Sequence, residues 1–219
     1  MREFSLKNFS IYIVPLGSKS KFEIMNDFWF NVTYGLNHVL DINGYDHILF
    51  LMVLAVPYTL KDWKPVLILV SLFTLGHTLS LFLAAYNIVQ VNGLLVEFLI
   101  PLTILLAALY NVFKAGKAAK GNGFNLLMFS SLFFGLIHGL GFAREFKMFI
   151  GQSENKLVPL LEFALGIEMA QVIIVFVVLF IGFLIQTVFR FSKRDWVLVL
   201  SSVVIGLVLP MLIENELLS

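Results

Sequence analysis

The sequence predicts an all-α protein: a polytopic membrane helix bundle of six transmembrane helices plus a short N-terminal re-entrant or interfacial helix. Composition is the first reason. Hydrophobic residues make up 59% of the 219 residues and charged residues 13%, with a mean hydropathy of +0.93. A soluble domain carries about 25% charged residues, so this chain has too little polar surface to cover a globule. The second reason is pattern, since the apolar runs are continuous and lack the two-residue alternation of a transmembrane barrel. A net charge of +1 gives no electrostatic basis for binding nucleic acid, and the absence of cysteine excludes disulfides, thiolate metal sites and thiol nucleophiles.

About 20 helical residues cross a bilayer core of about 30 Å. The first 24 residues read as a leader, with Met25 as an alternative start, and residues 25–219 as one transmembrane helical domain. Phe28–Asp46 is aromatic and apolar yet short, and is expected to dip into the outer half of the bundle as a broken helix. Asp41-Ile42-Asn43-Gly44 reads as a turn. The first span, His47–Leu60, is short. Val66–Tyr86, Leu94–Phe113, Phe124–Phe142 and Trp196–Ile213 meet the length requirement directly. Leu157–Phe189, at 33 residues, must tilt, break or project beyond the bilayer.

Charge between the spans sets orientation. Lys61, Lys64, Lys114, Lys117, Lys120, Arg190, Lys193 and Arg194 fall in alternate loops and make up eight of the 15 basic residues. The positive-inside rule places them in the cytoplasm. This gives a multi-pass membrane protein with its C-terminus outside.

Ionisable residues within spans are expensive and mark functional sites. His77 lies 11 residues from the inner end of its span, roughly 16 Å up. His138 lies 14 residues from the inner end of its span, roughly 21 Å up, and His47 falls at nearly the same height as His138. Asp46 adjoins His47, Glu168 lies in the fifth span, and His38, Asp41 and Glu97 are weaker or outer candidates. Imidazole with carboxylate and no thiolate suits nickel, cobalt or zinc. The principal metal candidates are therefore Asp46, His47, His77, His138 and Glu168, with His38, Asp41 and Glu97 as direct or supporting partners. Glu162 is expected to be solvated above the bilayer, and Gly135 and Gly139, flanking His138, to mark close helix packing. The bland alternative is that each histidine merely bonds a neighbouring helix. No HExxH, GxSxG or phosphate-loop pattern occurs.

Gly35-Leu-Asn-His38 followed by Gly44-Tyr-Asp46-His47-Ile-Leu-Phe50 resembles the N-terminal signature of the HupE/UreJ family of bacterial membrane proteins. Phe73-Thr-Leu-Gly-His77-Thr-Leu-Ser, Val96-Glu97, Phe134-Gly-Leu-Ile-His138-Gly-Leu-Gly-Phe-Ala143 and Leu165-Gly-Ile-Glu168-Met-Ala-Gln171 are similar to its later blocks, in order. The resemblance implies a protein of the bacterial inner (cytoplasmic) membrane and divalent-metal transport of the nickel-permease type through these same His, Asp and Glu positions. The spacing from His38 to Gly44 is longer than the family's usual form, and Ala170 and Ala164 replace an expected glycine and asparagine.

Three functions compete at this stage. A permease would capture a metal ion at the histidine–carboxylate cluster and release it after the bundle rocks. A zinc-dependent intramembrane hydrolase or transferase would use Glu168 or Glu97 as general base and act at the outer leaflet. A sensing or assembly partner would bind metal without turnover. The metal ion and the lipid bilayer are the partners implied in each case. The charge pattern predicts that a tag after Ser219 is reached by a membrane-impermeant reagent on intact cells and that one inserted near Gly116 is not. The reverse labelling would invert the orientation.

Overall fold

The computed structural model describes residues 21–116, 123–151 and 155–217. It is all-helical, with 84% helix and no strand among the described residues. Seven α-helices follow in order: α1 Lys21–Leu40, α2 Asp46–Ala55, α3 Trp63–Ala85, α4 Gly93–Lys114, α5 Gly123–Ile150, α6 Leu157–Thr187 and α7 Lys193–Ile213. The last five, α3 preceded by a 3-10 turn at Leu60–Asp62, are long and apolar enough to cross a membrane. Polar residues start them. The Asn92 side chain accepts from the Leu94 N–H at the head of α4, and Ser192 Oγ accepts from the Asp195 N–H at the head of α7. Such caps satisfy backbone donors that a helix N-terminus leaves free.

The first span departs from expectation. The region from Phe28 is not broken along its length. Α continuous 20-residue helix runs to Leu40, so the N-terminal element is not short. The interruption is confined to the turn after Leu40, where Asp41 Oδ1 accepts from the Asn43 N–H at 2.9 Å. The second half, α2, has only 10 residues and stops ahead of Pro57, whose ring disfavours helix in the residue before it. Ring contacts show that both halves run in one sense. Phe30 meets Phe149, His38 meets Phe142, His47 meets His138 and Phe50 meets Phe134. Numbers rising along α1 and α2 pair with numbers falling along α5. The two are halves of one interrupted helix. Of the expected leader, residues 1–20 lie outside the described residues, and Lys21–Ile24 begin α1.

Helix α5 also exceeds its predicted span, continuing from Phe142 to Ile150. The extension carries Arg144, Glu145 and Lys147, which read as loop. These are nevertheless good helix formers, and they leave Phe146 and Ile150 buried on the other face. There Phe146, Phe149, Phe142, Tyr34 and Phe163 form an aromatic cluster joining α1, α5 and α6.

The bundle is held at two close helix crossings. Between α3 and α5, a Cβ on Gly76 would strike the Leu132 carbonyl, one on Gly135 the Phe73 carbonyl, and one on Gly139 the His77 carbonyl and Ser80 Oγ. Gly135 thus meets Phe73 while Gly139 meets His77 and Ser80, so these two helices are parallel. Between α1 and α6, Gly35 lies against the Phe163 carbonyl and Gly166 against the Val32 carbonyl. Small residues let backbones approach where no hydrophobic gradient drives association. The packing expected of Gly135 and Gly139 is therefore present. Gly139→Ala should destabilise the fold by at least about 1–3 kcal/mol, the usual cost of overpacking. Gly206→Ala, with nothing within 4 Å of its Cβ, should be neutral or slightly stabilising. Unfolding midpoints in mixed micelles check both, and equal midpoints would refute the close crossing.

Candidate metal centre

The two glycine crossings set the imidazoles. His77 follows Gly76 on α3, His138 sits between Gly135 and Gly139 on α5, and His38 lies one turn beyond Gly35 on α1. The short turn after Leu40 interrupts the helix without reversing it, and His47, second residue of α2, faces His38 across the break. The ring centroids of these two are 4.7 Å apart, and each is within 5.7 Å of His77. One nitrogen from each of His38, His47 and His77 can be chosen so that all three lie within 4.8 Å of one another. His47 and His77 are buried at 3% and 0% exposure, which places the group inside the bundle.

His138 completes the row without joining that trio. Its ring is 5.2 Å from His47 and is packed by Phe50 and Phe73. His38 is thus drawn in more closely than its family spacing implied, and His138 stands one place back. The missed signal was local. A turn that closes directly after Leu40 must bring the last turn of α1 against the first turn of α2.

The carboxylates divide. Asp46 Oδ1 accepts from the His47 backbone N–H at 2.9 Å and lies 3.2 Å from its Nδ1. A carboxylate in that position accepts a hydrogen bond from Nδ1–H and leaves Nε2 free as a ligand, the usual outer support of a metal-binding histidine. Asp41 is engaged in the turn, and beside it a cavity of about 540 Å³ reaches His38 between Tyr34, Asn37 and Phe142. Glu97 lines a second cavity, of about 220 Å³, with Asp46, Tyr45 and Ile100. Glu168 accepts from Ser71 Oγ at 2.6 Å and from Thr74 Oγ1. Glu162 accepts from Asn31 Nδ2 at 2.6 Å and joins α6 to α1. None of these four belongs to the imidazole trio.

Four buried ring nitrogens of the trio have no hydrogen-bond partner among the described residues: His38 Nε2, His47 Nε2 and both nitrogens of His77. Leaving a buried polar atom unpaired costs about 1–3 kcal/mol, so such a concentration requires an explanation by an ion or water. Imidazoles converging from three helices are a ligand set for a borderline divalent cation. The residues fit that role.

The family model described as HupE / UreJ protein matches residues 18–215. No curated protein and no solved structure matches the chain. The geometry predicts that His38→Ala, His47→Ala and His77→Ala each lower nickel affinity at least about 100-fold. Asp46→Asn should cost about 10–100-fold, as for outer partners of metal ligands, and His138→Ala less than any of the three. Calorimetric titration in nanodiscs checks the ranking, and full stoichiometric binding by all three alanine variants would put the ligands elsewhere.

Proposed function

The chain belongs to the HupE/UreJ family, and from that premise we propose that it is a divalent-metal permease of the nickel or cobalt type. Its metal-handling, transport-related character comes from the family. The observation that carries the finer reading is the trio of unpartnered imidazoles at the break of an interrupted helix. Transporters commonly build ion sites at such breaks, because free backbone groups and side chains there face a cavity rather than lipid. The two cavities on either side of the α1–α2 turn, one reaching His38 and one reaching Asp46, supply approaches of that kind.

Counting α1 and α2 as halves of one crossing gives six crossings. Lys61 and Lys64 near the start of α3, Lys114 at the end of α4, and Lys193 and Arg194 at the start of α7 then share one end of the bundle. Arg194 Cδ lies 3.0 Å from the Cβ position of Gly116, so two of these clusters are neighbours. The positive-inside rule makes that end cytoplasmic, with the imidazoles reached from outside and the C-terminus outside.

A zinc hydrolase could use the same three imidazoles, since three protein ligands and an open position define catalytic zinc. It also needs a base beside the metal-bound water. Glu168 is tied to Ser71 and Thr74, and Glu97 stands across a cavity from Asp46. This arrangement favours carriage of the ion over chemistry performed with it.

Cells lacking their own nickel permeases should accumulate radioactive nickel when they express the chain, and His77→Ala should abolish the gain at equal protein level. Protons compete with metal for imidazole ligands, so uptake should weaken, and never strengthen, as external pH is lowered, with cytoplasmic pH mattering far less. Purified protein that binds nickel but moves none into proteoliposomes would overturn the permease reading.

A further inference from the structure

Glu168 stands apart from the imidazoles and among oxygens. Its Oε1 accepts from Ser71 Oγ at 2.6 Å, and its Oε2 from Thr74 Oγ1. Thr74 Oγ1 is also 3.2 Å from Gln171 Oε1 and 3.3 Å from the Val70 carbonyl. A hydroxyl has one hydrogen to donate, yet three acceptors surround this one. Gln171, 0% exposed, leaves its Nε2 without a partner. No lysine or arginine forms an ion pair with Glu168 among the described residues. The cluster lies within the apolar stretches of α3 and α6, with Ser71 at the exposed edge. A bare carboxylate there costs several kcal/mol.

The cluster therefore gathers carboxylate, hydroxyl and amide oxygens around one negative charge without a counter-charge. From this we infer that Glu168, Thr74, Ser71 and Gln171 form a binding site for a small alkali cation, Na⁺. Carboxylate, hydroxyl and amide oxygens suit a hard cation and carry no nitrogen or sulfur preference for a transition metal. A single carboxylate balances one positive charge, whereas a divalent ion would leave the site charged within the bilayer. With Na⁺ among the oxygens, Thr74 keeps its hydrogen for the Val70 carbonyl, the ordinary back-bond of a helical threonine.

The site is distinct from the imidazole trio but mechanically joined to it. Thr74 and His77 are three residues apart on α3, hence on one face and one turn apart. Loading at Glu168 would be felt at His77 through a single helical turn. The Na⁺ site itself does not depend on the permease reading, because it can be measured with no transition metal present.

The experiment is equilibrium binding of ²²Na⁺ to the full chain in nanodiscs, without nickel. We expect saturable binding at one ion per chain, lowered at least about tenfold by Glu168→Gln and by Thr74→Val. Ser71→Ala, on the exposed side of α3, should lower it several-fold without disturbing the fold, as checked by gel filtration and circular dichroism. Gly206→Ala, on α7 with nothing within 4 Å of its Cβ, should leave it unchanged. Absence of saturable binding in the wild-type chain would overturn the proposal, as would equal binding in the Glu168 and Ser71 variants. Acid-dependent proton uptake with no ²²Na⁺ binding would also overturn it, since the carboxyl would then be neutralised by a proton. Nickel binding, measured on the same samples, separates this failure from failure of the imidazole reading.

Discussion

Everything in the molecule depends on how closely backbones meet at the glycine crossings. Gly76, Gly135 and Gly139 bring α3 to α5, and Gly35 and Gly166 bring α1 to α6, at distances that leave no space for a methyl group. Each histidine of the trio or beside it is attached to one of these crossings or to the turn between α1 and α2. In lipid there is no hydrophobic gradient to pull helices together, so packing and hydrogen bonding must do so. Ser131 Oγ, donating to the Leu69 carbonyl at 2.6 Å, reinforces the α3–α5 contact. A widened crossing would carry His77 and His138 away from His47 at once.

The polar interior separates by chemistry. Nitrogen donors gather where the interrupted helix turns, and oxygen donors gather between α3 and α6. The two sets share α3, through His77 and Thr74. This division is why Glu168 does not behave like Asp46. Asp46 is bonded to a histidine and orients it, whereas Glu168 is bonded only to hydroxyls. Both are acidic residues in an apolar setting, but their neighbours assign them different work.

Much of this was legible in the residues. Apolar run length located α3, α4, α6 and α7 to within a few positions, because a membrane leaves a helix no alternative way to satisfy its backbone. The Asp41–Gly44 turn was readable from turn chemistry, and Gly135 and Gly139 from spacing. The C-terminal extension of α5 was not, because Arg144, Glu145 and Lys147 masked the buried face of Phe146 and Ile150. Nor was the shared direction of α1 and α2, which is settled only by pairings with α5 far along the chain. The site was legible as a set of residues but not as a geometry. Depth counting placed His138 with His47 and His77, and only the turn between α1 and α2 makes His38 the nearer neighbour.

The Asn111 side chain donates to the Val53 carbonyl at 2.6 Å, tying the far end of α2 to α4, while α4 packs chiefly on α7 and α1 chiefly on α6. Α helix of 10 residues has little hold of its own and follows whatever grips it. Helix α2 packs on α6 as well as on α4, so His47 is held between the α4–α7 and α1–α6 pairs, whereas His38 and His77 ride on α1 and α3. A shift of one pair past the other would move His47 against a companion donor and leave the remaining contacts in place. Affinity would then be graded by a sliding joint, so the grip on an ion could be loosened without dismantling the pocket that caught it.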